Sequence, residues 1–471
     1  NSTKYPELTT PALTTVADLT LGGASLVQQF AGRIFYSGFS GEVVDGDIRS
    51  PNLSNFILFS QLITNRKDFT KCYQEGDPTS RDSSDVVDTD GGFIKLTGAE
   101  KIIGMIELSD ALVVIASNGV WAIKGGSDYG FGATNYRADK LSSFGGIAPF
   151  SIVQDGGRVF FWADDGICVI AKDQMGSLAV SNITESTIQS LYQSIPNLSK
   201  KEVTGTYDAL NKTIRWIYKT GVSRFADTRD TYELIFDTVL QAFSRYRIFN
   251  PADLNGEVVS SFSASQLSSF NTQDTVLVGA DVVLVGTDVV QVEQEYLSDS
   301  VQSTRYLAVI KDGSNLSFTF GLYRNDTFTD WPELGPVDAQ GYLLTGAMTG
   351  GDSSIPKQAP YLVMHLERTE DGVNPDGTPM NVSGCLVRSQ WDFANTINSK
   401  KWSSLFQAYR YRKPLLTLSP TETYDTGFEL ITTKNKLRGR GRSISLYMET
   451  EPVKDCRIVG WNLSVNANQF T

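Results

Sequence analysis

Leu112–Ile123 reads LVVIASNGVWAI, and Val159–Ile170 reads VFFWADDGICVI. Laid over each other, Ala116 falls on Ala163, Gly119 on Gly166 and Ile123 on Ile170, while Asn118 stands where Asp165 stands. Each copy is an apolar run, a short turn and a second apolar run, and the two start 47 residues apart. Asn-Gly or Asp-Gly between apolar runs predicts a β-hairpin, because a type I′ turn needs positive φ at both central residues. A hairpin recurring every ~40–50 residues has the period of one propeller blade. The chain therefore reads as mainly β: a β-propeller-like repeat of hairpin blades, with an additional β-rich domain and few helices.

Composition agrees with that reading. Aromatics make up 11% of the 471 residues and glycines number 41, which favours strands and turns. The length calls for two or more domains. The net charge of −12 repels nucleic acid and anionic membrane at long range. It still allows a protein that encloses DNA without gripping it. No apolar stretch reaches the ~18 residues of a membrane span. The sequence starts at Asn1 without an initiating Met, as a trimmed or partial chain would. Cys72, Cys168, Cys385 and Cys456 are scattered with no CxxC, as expected of buried free thiols in a chain made in a reducing cytoplasm.

Four regions follow along the chain: a connecting arm (1–31), the first propeller blades (32–250), an inserted Ser/Thr/Val-rich β segment (251–345), and closing blades or a β-rich region (346–471). One helix is expected near 188–195, where Ile188, Leu191, Tyr192 and Ile195 share a helical face, with Asn182 and Glu185 at capping-box spacing and Pro196 as the stop. A hairpin is expected at 202–218, turning at Asn211-Lys212. The insert holds a tandem copy, VLVGADV from Val276 and VLVGTDV from Val283. It reads as a β-hairpin between blades, or as a channel or docking loop presenting Val276, Leu277, Val283 and Leu284.

Chemistry-bearing motifs are few. The single histidine, His365, lies in the apolar strand YLVMHL, so a multi-His metal site is excluded and a packed strand histidine is expected. Asp85, Asp88 and Asp90 lack the spacing and the closing Glu of a calcium loop. Asp164 and Asp165 are neighbours in a turn rather than a glycosidase pair. The one strong charge run is Lys434, Lys436, Arg438, Arg440 and Arg442 in KNKLRGRGR. On an extended strand all five point the same way, toward phosphate or an acidic partner, or into solvent as edge protection. The intervening glycines favour close approach of another chain. The chain is expected to have no catalytic residues, cofactor or metal, and not to be an enzyme.

Several stretches together resemble the tail nozzle (tail tubular protein B) family of short-tailed bacteriophages. They are GRIFYSG (32–38), FSQ (59–61), DFTKCYQEGDPTS (68–80), the two hairpins above, TGTYDALNKTIRWIY (204–218), the following ELIFDTVLQAFSRY, and KLRGRGRSISLYMETEPVKDCRIVGWNL (436–463). The resemblance covers about 30–250 and 385–465, and 251–345 departs from it. It implies a structural virion protein of the tail, made in the host cytoplasm. It also implies a homohexameric ring below the portal and its adaptor ring, a channel through which viral dsDNA leaves without tight binding, and a surface for tail fibres. The alternative is a β-propeller protein that binds or degrades host-surface polysaccharide. Trp162, Trp216 and Trp391 are the candidate sugar platforms of that alternative.

Overall fold

The computed structural model describes residues 23–39, 44–45, 48–49, 52–65, 67–75, 86–126, 130–209, 211–220, 231–249, strands within 257–322, and 340–351, 353–370, 382–394, 399–410, 430–452 and 454–467. The chain divides into two compact units, Asn1–Phe320 and Gly321–Thr471. The division falls inside the segment read as an insert.

The first unit is a series of four-stranded antiparallel sheets, each an up-and-down meander. The first takes Leu26–Phe30, Arg33–Ser37, Phe56–Phe59 and Gly92–Lys95. It therefore begins inside the stretch read as a connecting arm. The second takes Ile102–Leu108, Ala111–Ala116, Gly119–Gly125 and Tyr136–Ser142. The third takes Val153–Asp155, Arg158–Trp162, Ile167–Lys172 and Leu178–Asn182. The fourth takes Thr204–Asp208, Thr213–Lys219, Thr231–Asp237 and Ala242–Phe249.

The unbroken apolar runs follow from burial on both faces. Successive strand residues point to opposite sides. Leu112, Val114 and Ala116 enter one core with Phe35, Ile57, Phe59 and Ile94 of the first sheet. Val113 and Ile115 enter the next core with Val159, Phe161 and Ala163 of the third. Phe160 and Trp162 in turn pack with Ile214, Trp216 and Leu234 of the fourth. A blade between two blades has no wet face, so its inner strands lose the usual apolar/polar alternation.

The hairpins form, but not through the expected turn. Ala116 pairs with Gly119, so the turn residues are Ser117 and Asn118, and neither has positive φ. Asn118 instead bonds outward: its Oδ1 accepts from Glu100 N–H at 3.1 Å and its Nδ2 donates to the Gly98 carbonyl at 2.8 Å. Gly166 serves close approach, since a Cβ there would collide with Thr184 and Asn182. A two-residue hairpin turn with both φ values positive lies at Ala31-Gly32 (+48° and +71°).

The helix spans only Gln189–Ser194, with no side-chain cap, and a second short helix, Asn197–Lys201, follows Pro196. Asn182 ends a strand and accepts from both the N–H and hydroxyl of Thr184, so the capping box is not formed. Tyr192 places its hydroxyl on the Ala163 carbonyl, tying the helix to the third sheet's hairpin. The Asn211-Lys212 turn is present, with Lys212 at φ +53° and Asn211 held by the Asp208 carboxylate.

A buried arginine organises the first sheet. Arg33 is buried and donates to the carbonyls of Ser60 (2.7 Å), Asp88 and Asp90. Burial lowers its pKa, opposed by Asp88 and Asp90. Asp90 is buried and accepts from the N–H groups of Glu75 and Val87, and Asp88 accepts from Thr134. Asp90 thus braces a loop from a buried position, while Asp88 does so from the exposed surface. Asp85 lies outside the described residues.

In the insert, Glu257–Gln266 pairs with Gln302–Lys311, and Asn271–Thr275 pairs with Gln291–Glu295. Between them each tandem copy closes on itself, Leu277 pairing with Val282 and Leu284 with Val289. The repeat is two small hairpins rather than one. Val276 and Val283 lie outside the described residues.

The second unit packs two sheets around one core. One sheet orders Tyr342–Leu344, Ile444–Thr450, Cys385–Trp391 and Phe406–Gln407; the other orders Leu430–Lys436, Lys357–Glu367 and Ile458–Ala467. Leu362, Met364 and Leu366 meet Val387, Leu446 and Met448 between them. Among the described residues, no helix is long and apolar enough to cross a membrane.

Candidate polyanion-binding cleft

The basic run starts on a strand and ends on a turn. Along Leu430–Lys436 exposed and buried residues alternate, so Lys434 and Lys436 face out while Thr433 and Asn435 face in. Leu437 continues inward and its N–H donates to the Pro360 carbonyl at 3.0 Å. The strand ends there. The Arg438 carbonyl accepts from Trp391 Nε1 at 3.2 Å and from the Ser389 hydroxyl at 3.3 Å. Gly439 has φ +116°, and a Cβ on it would overlap the Trp391 indole. A Cβ on Gly441 would crowd the Asp392 carboxylate. The glycines thus admit Trp391 and Asp392 of the same chain, which corrects the reading that they admit another chain.

The turn also divides the five cations. Lys436, Arg438 and Arg440 line a cleft of about 770 Å3, joined there by Lys400, Lys401 and Trp402. Lys434 instead sits 4.2 Å from the Tyr361 ring centroid, and Arg442 lines a separate cavity of about 140 Å3. Lys401 pairs with Asp392 at 2.6 Å. Among the described residues, Lys400, Lys436, Arg438 and Arg440 have no carboxylate within ion-pair distance, and none lines the cleft. Burial raises the Asp392 pKa, but the Lys401 ammonium and the Arg442 N–H outweigh it and hold the carboxyl below its ordinary value. Asp392 and Phe393 both have φ +56°, a left-handed pair that carries the chain away from the Trp391 strand. Trp402 is set by its Nε1 bond to the Ala394 carbonyl (2.9 Å) and by the Arg388 guanidinium 4.9 Å from its ring. Four cations and an aromatic face suit an anionic chain: the charges take phosphates, carboxylates or sulfates, and the ring takes an apolar or planar group.

A second cavity, of about 510 Å3, gathers the two turns of the opening repeat. Ser117 and Asp164 line it with Lys101, Lys201 and Phe150. Asp165 does not line it, so the two neighbouring carboxylates do not converge there. The Asp165 carbonyl is occupied by Asn182 and Gln189.

The other candidates have structural partners. His365 lies half-buried between Thr432 Oγ1 (3.0 Å from Nδ1) and Asn462 Nδ2 (3.3 Å from Nε2). Trp162 and Trp216 are fully buried and Trp391 nearly so, which removes Trp162 and Trp216 as sugar platforms and leaves Trp391 as the cleft's wall. Lys400, Lys401 and Trp402 were missed in the sequence because they are distant in the chain from the basic run. The only signal for them was the short basic-aromatic string KKW itself.

No family model and no curated protein matches the chain. Among solved structures, it is similar to an exo-β-1,3-galactanase from Phanerochaete chrysosporium with galactose, at 8% identity and a TM-score of 0.25, covering 93% of this chain and 94% of that one. A variant of the same galactanase with β-1,3-galactotriose gives 8% identity and a TM-score of 0.24, covering 93% and 97%. These matches correct the expectation that the chain is not an enzyme: they are to a glycoside-cleaving protein, and at such low likeness they neither assign nor exclude an activity.

Proposed function

We propose that the chain is a structural subunit of the tail nozzle of a short-tailed phage. In this reading copies of the chain, six by the family resemblance, enclose the DNA exit channel below the portal and adaptor ring and offer a surface to tail fibres. The observation that carries it is the cleft of Lys400, Lys436, Arg438 and Arg440 around Trp402, lined by no carboxylate among the described residues, on a chain of net charge −12. A local basic contact on an acidic body touches a polyanion without holding it. Each neutralised phosphate adds affinity and about 0.9 to the steepness of its fall with log salt, so four contacts give a slope of about −3.6.

The test has two arms. Electron microscopy of the purified chain and of particles containing it reads the oligomer, and monomers in both refute the nozzle. Fluorescence anisotropy with duplex DNA reads the contact. Binding should be measurable at low salt and lost near physiological salt, and K436E/R438E/R440E should abolish it. Unchanged binding in that variant removes the cleft as the contact.

A second reading rests on the cavity where the hairpin turns meet. Its volume of about 510 Å3 and its polar edge of Asp164, Lys101 and Lys201 suit a saccharide of the host surface. Binding on a glycan array, lost in Asp164→Asn, would favour it; an array without hits, together with no release of sugar from host polysaccharide, would refute it.

A further inference from the structure

Two of the four cysteines stand together in the C-terminal unit. Cys385 opens the strand Cys385–Trp391 of one sheet, and Cys456 precedes the strand Ile458–Ala467 of the other. The Gly384 N–H donates to the Asp455 carbonyl at 3.0 Å, so the residues just before each cysteine are tied backbone to backbone. Both cysteines line a cavity of about 180 Å3, with Tyr342, Met448, Glu449 and Thr450. Cys385 is buried and Cys456 half-buried, so Cys456 is the sulfur a reagent reaches first. The shared thiol hydrogen bond, then burial, push the Cys385 pKa up, while the same bond favours the anion of Cys456 and lowers its pKa. Cys72 and Cys168 lie in separate cores, and burial pushes each up to about 12.

We propose that Cys385 and Cys456 are a redox-active dithiol that a small-molecule disulfide converts to a disulfide joining the two sheets. The Cys456 thiolate attacks one sulfur of the reagent, forming a mixed disulfide and releasing one thiol. Cys385 then gives up its proton to water and attacks Sγ of Cys456, releasing the second thiol. The protein loses two protons and two electrons, and the reagent disulfide takes up both to become two thiols, so the step balances. The buried member thus acts as the resolving thiol, and its high pKa makes resolution the slower step.

The test treats the full chain with oxidised glutathione at pH 8 under native conditions and reads intact mass and a peptide map. The expected result is the loss of two hydrogens, a 385–456 cross-linked peptide, and alkylatable Cys72 and Cys168. Cys385→Ser should stop at a stable glutathione adduct on Cys456. Cys456→Ser should give neither adduct nor cross-link. Closing a loop of this length should raise the melting temperature of the C-terminal unit by about 10 °C, reversibly with dithiothreitol. No mass change in the wild type, a persistent wild-type adduct, or a cross-link through Cys72 or Cys168 would each overturn the proposal. Cys72→Ala/Cys168→Ala, which keeps only the pair, repeats the measurement without competing thiols.

Discussion

Gly439→Ala isolates the contact that shapes the basic cleft. The added Cβ falls on the Trp391 indole, against a nitrogen that donates to the Arg438 carbonyl at 3.2 Å. Backbone strain at φ +116° costs about 1–2 kcal/mol for a residue other than glycine. Losing the indole bond adds about 1 kcal/mol. The sum is about 2–3 kcal/mol, or roughly 30- to 150-fold in local opening, since 1.4 kcal/mol is tenfold. Hydrogen exchange of peptides covering 385–391 and 444–450 reads it directly, without requiring the two units to unfold together. Trp391→Leu removes both the clash and the bond. In that background Gly439→Ala should cost only the strain, leaving a coupling of about 1 kcal/mol between the two changes. Equal costs in both backgrounds would refute the assignment. So would a variant with unchanged exchange that is impaired only in binding a partner, because the glycine would then serve another chain.

Phe161 is wholly buried between the second and third sheets, so Phe161→Ala should cost about 3–5 kcal/mol, while Met175→Ala, at 92% exposure, should be silent; thermal unfolding of both distinguishes a packed blade interface from a loose one. Asp68 accepts from Lys71, Asn65 and Thr64, and the Lys71 bond first among these holds its carboxyl down from 3.8 to about 2. A depressed carboxyl stabilises the fold above its unfolded value and stops doing so as pH falls through the folded one. Pepsin cleavage within 61–75 should therefore be slow in the wild type at pH 4 and approach that of Asp68→Asn as pH falls toward about 2; equal rates at both pH values would contradict it.

Much of the fold was legible because it is written in local pattern. The runs LVVIA and VFFWA are apolar at every position, which a strand tolerates only when both faces are covered, and the cores on either side of each run show that they are. The hairpin expected at 202–218 was likewise readable from composition and turn residues, and Thr204–Asp208 pairs with Thr213–Lys219 across Asn211-Lys212. Turn chemistry was less so. Asn118 reads as a positive-φ turn residue, but the turn between Gly92–Lys95 and Ile102–Leu108 claims its side chain through Gly98 and Glu100, and that claim comes from a neighbouring segment. The capping box at Asn182 failed through a local competitor instead: Thr184, two residues on, is the nearer donor.

The basic run marks the division most clearly. By itself the sequence determined that five cations alternate with small or buried residues, and so that the segment faces outward. Which of them act together was decided only in three dimensions. Trp391 reaches the Arg438 carbonyl, Gly439 turns to admit its ring, and the chain bends so that Lys436, Arg438 and Arg440 meet Lys400 and Trp402 while Lys434 and Arg442 part from them. The pairing of Cys385 with Cys456 has the same origin. Period and polarity are properties of neighbours along the chain, whereas convergence depends on packing between strands that the sequence leaves far apart.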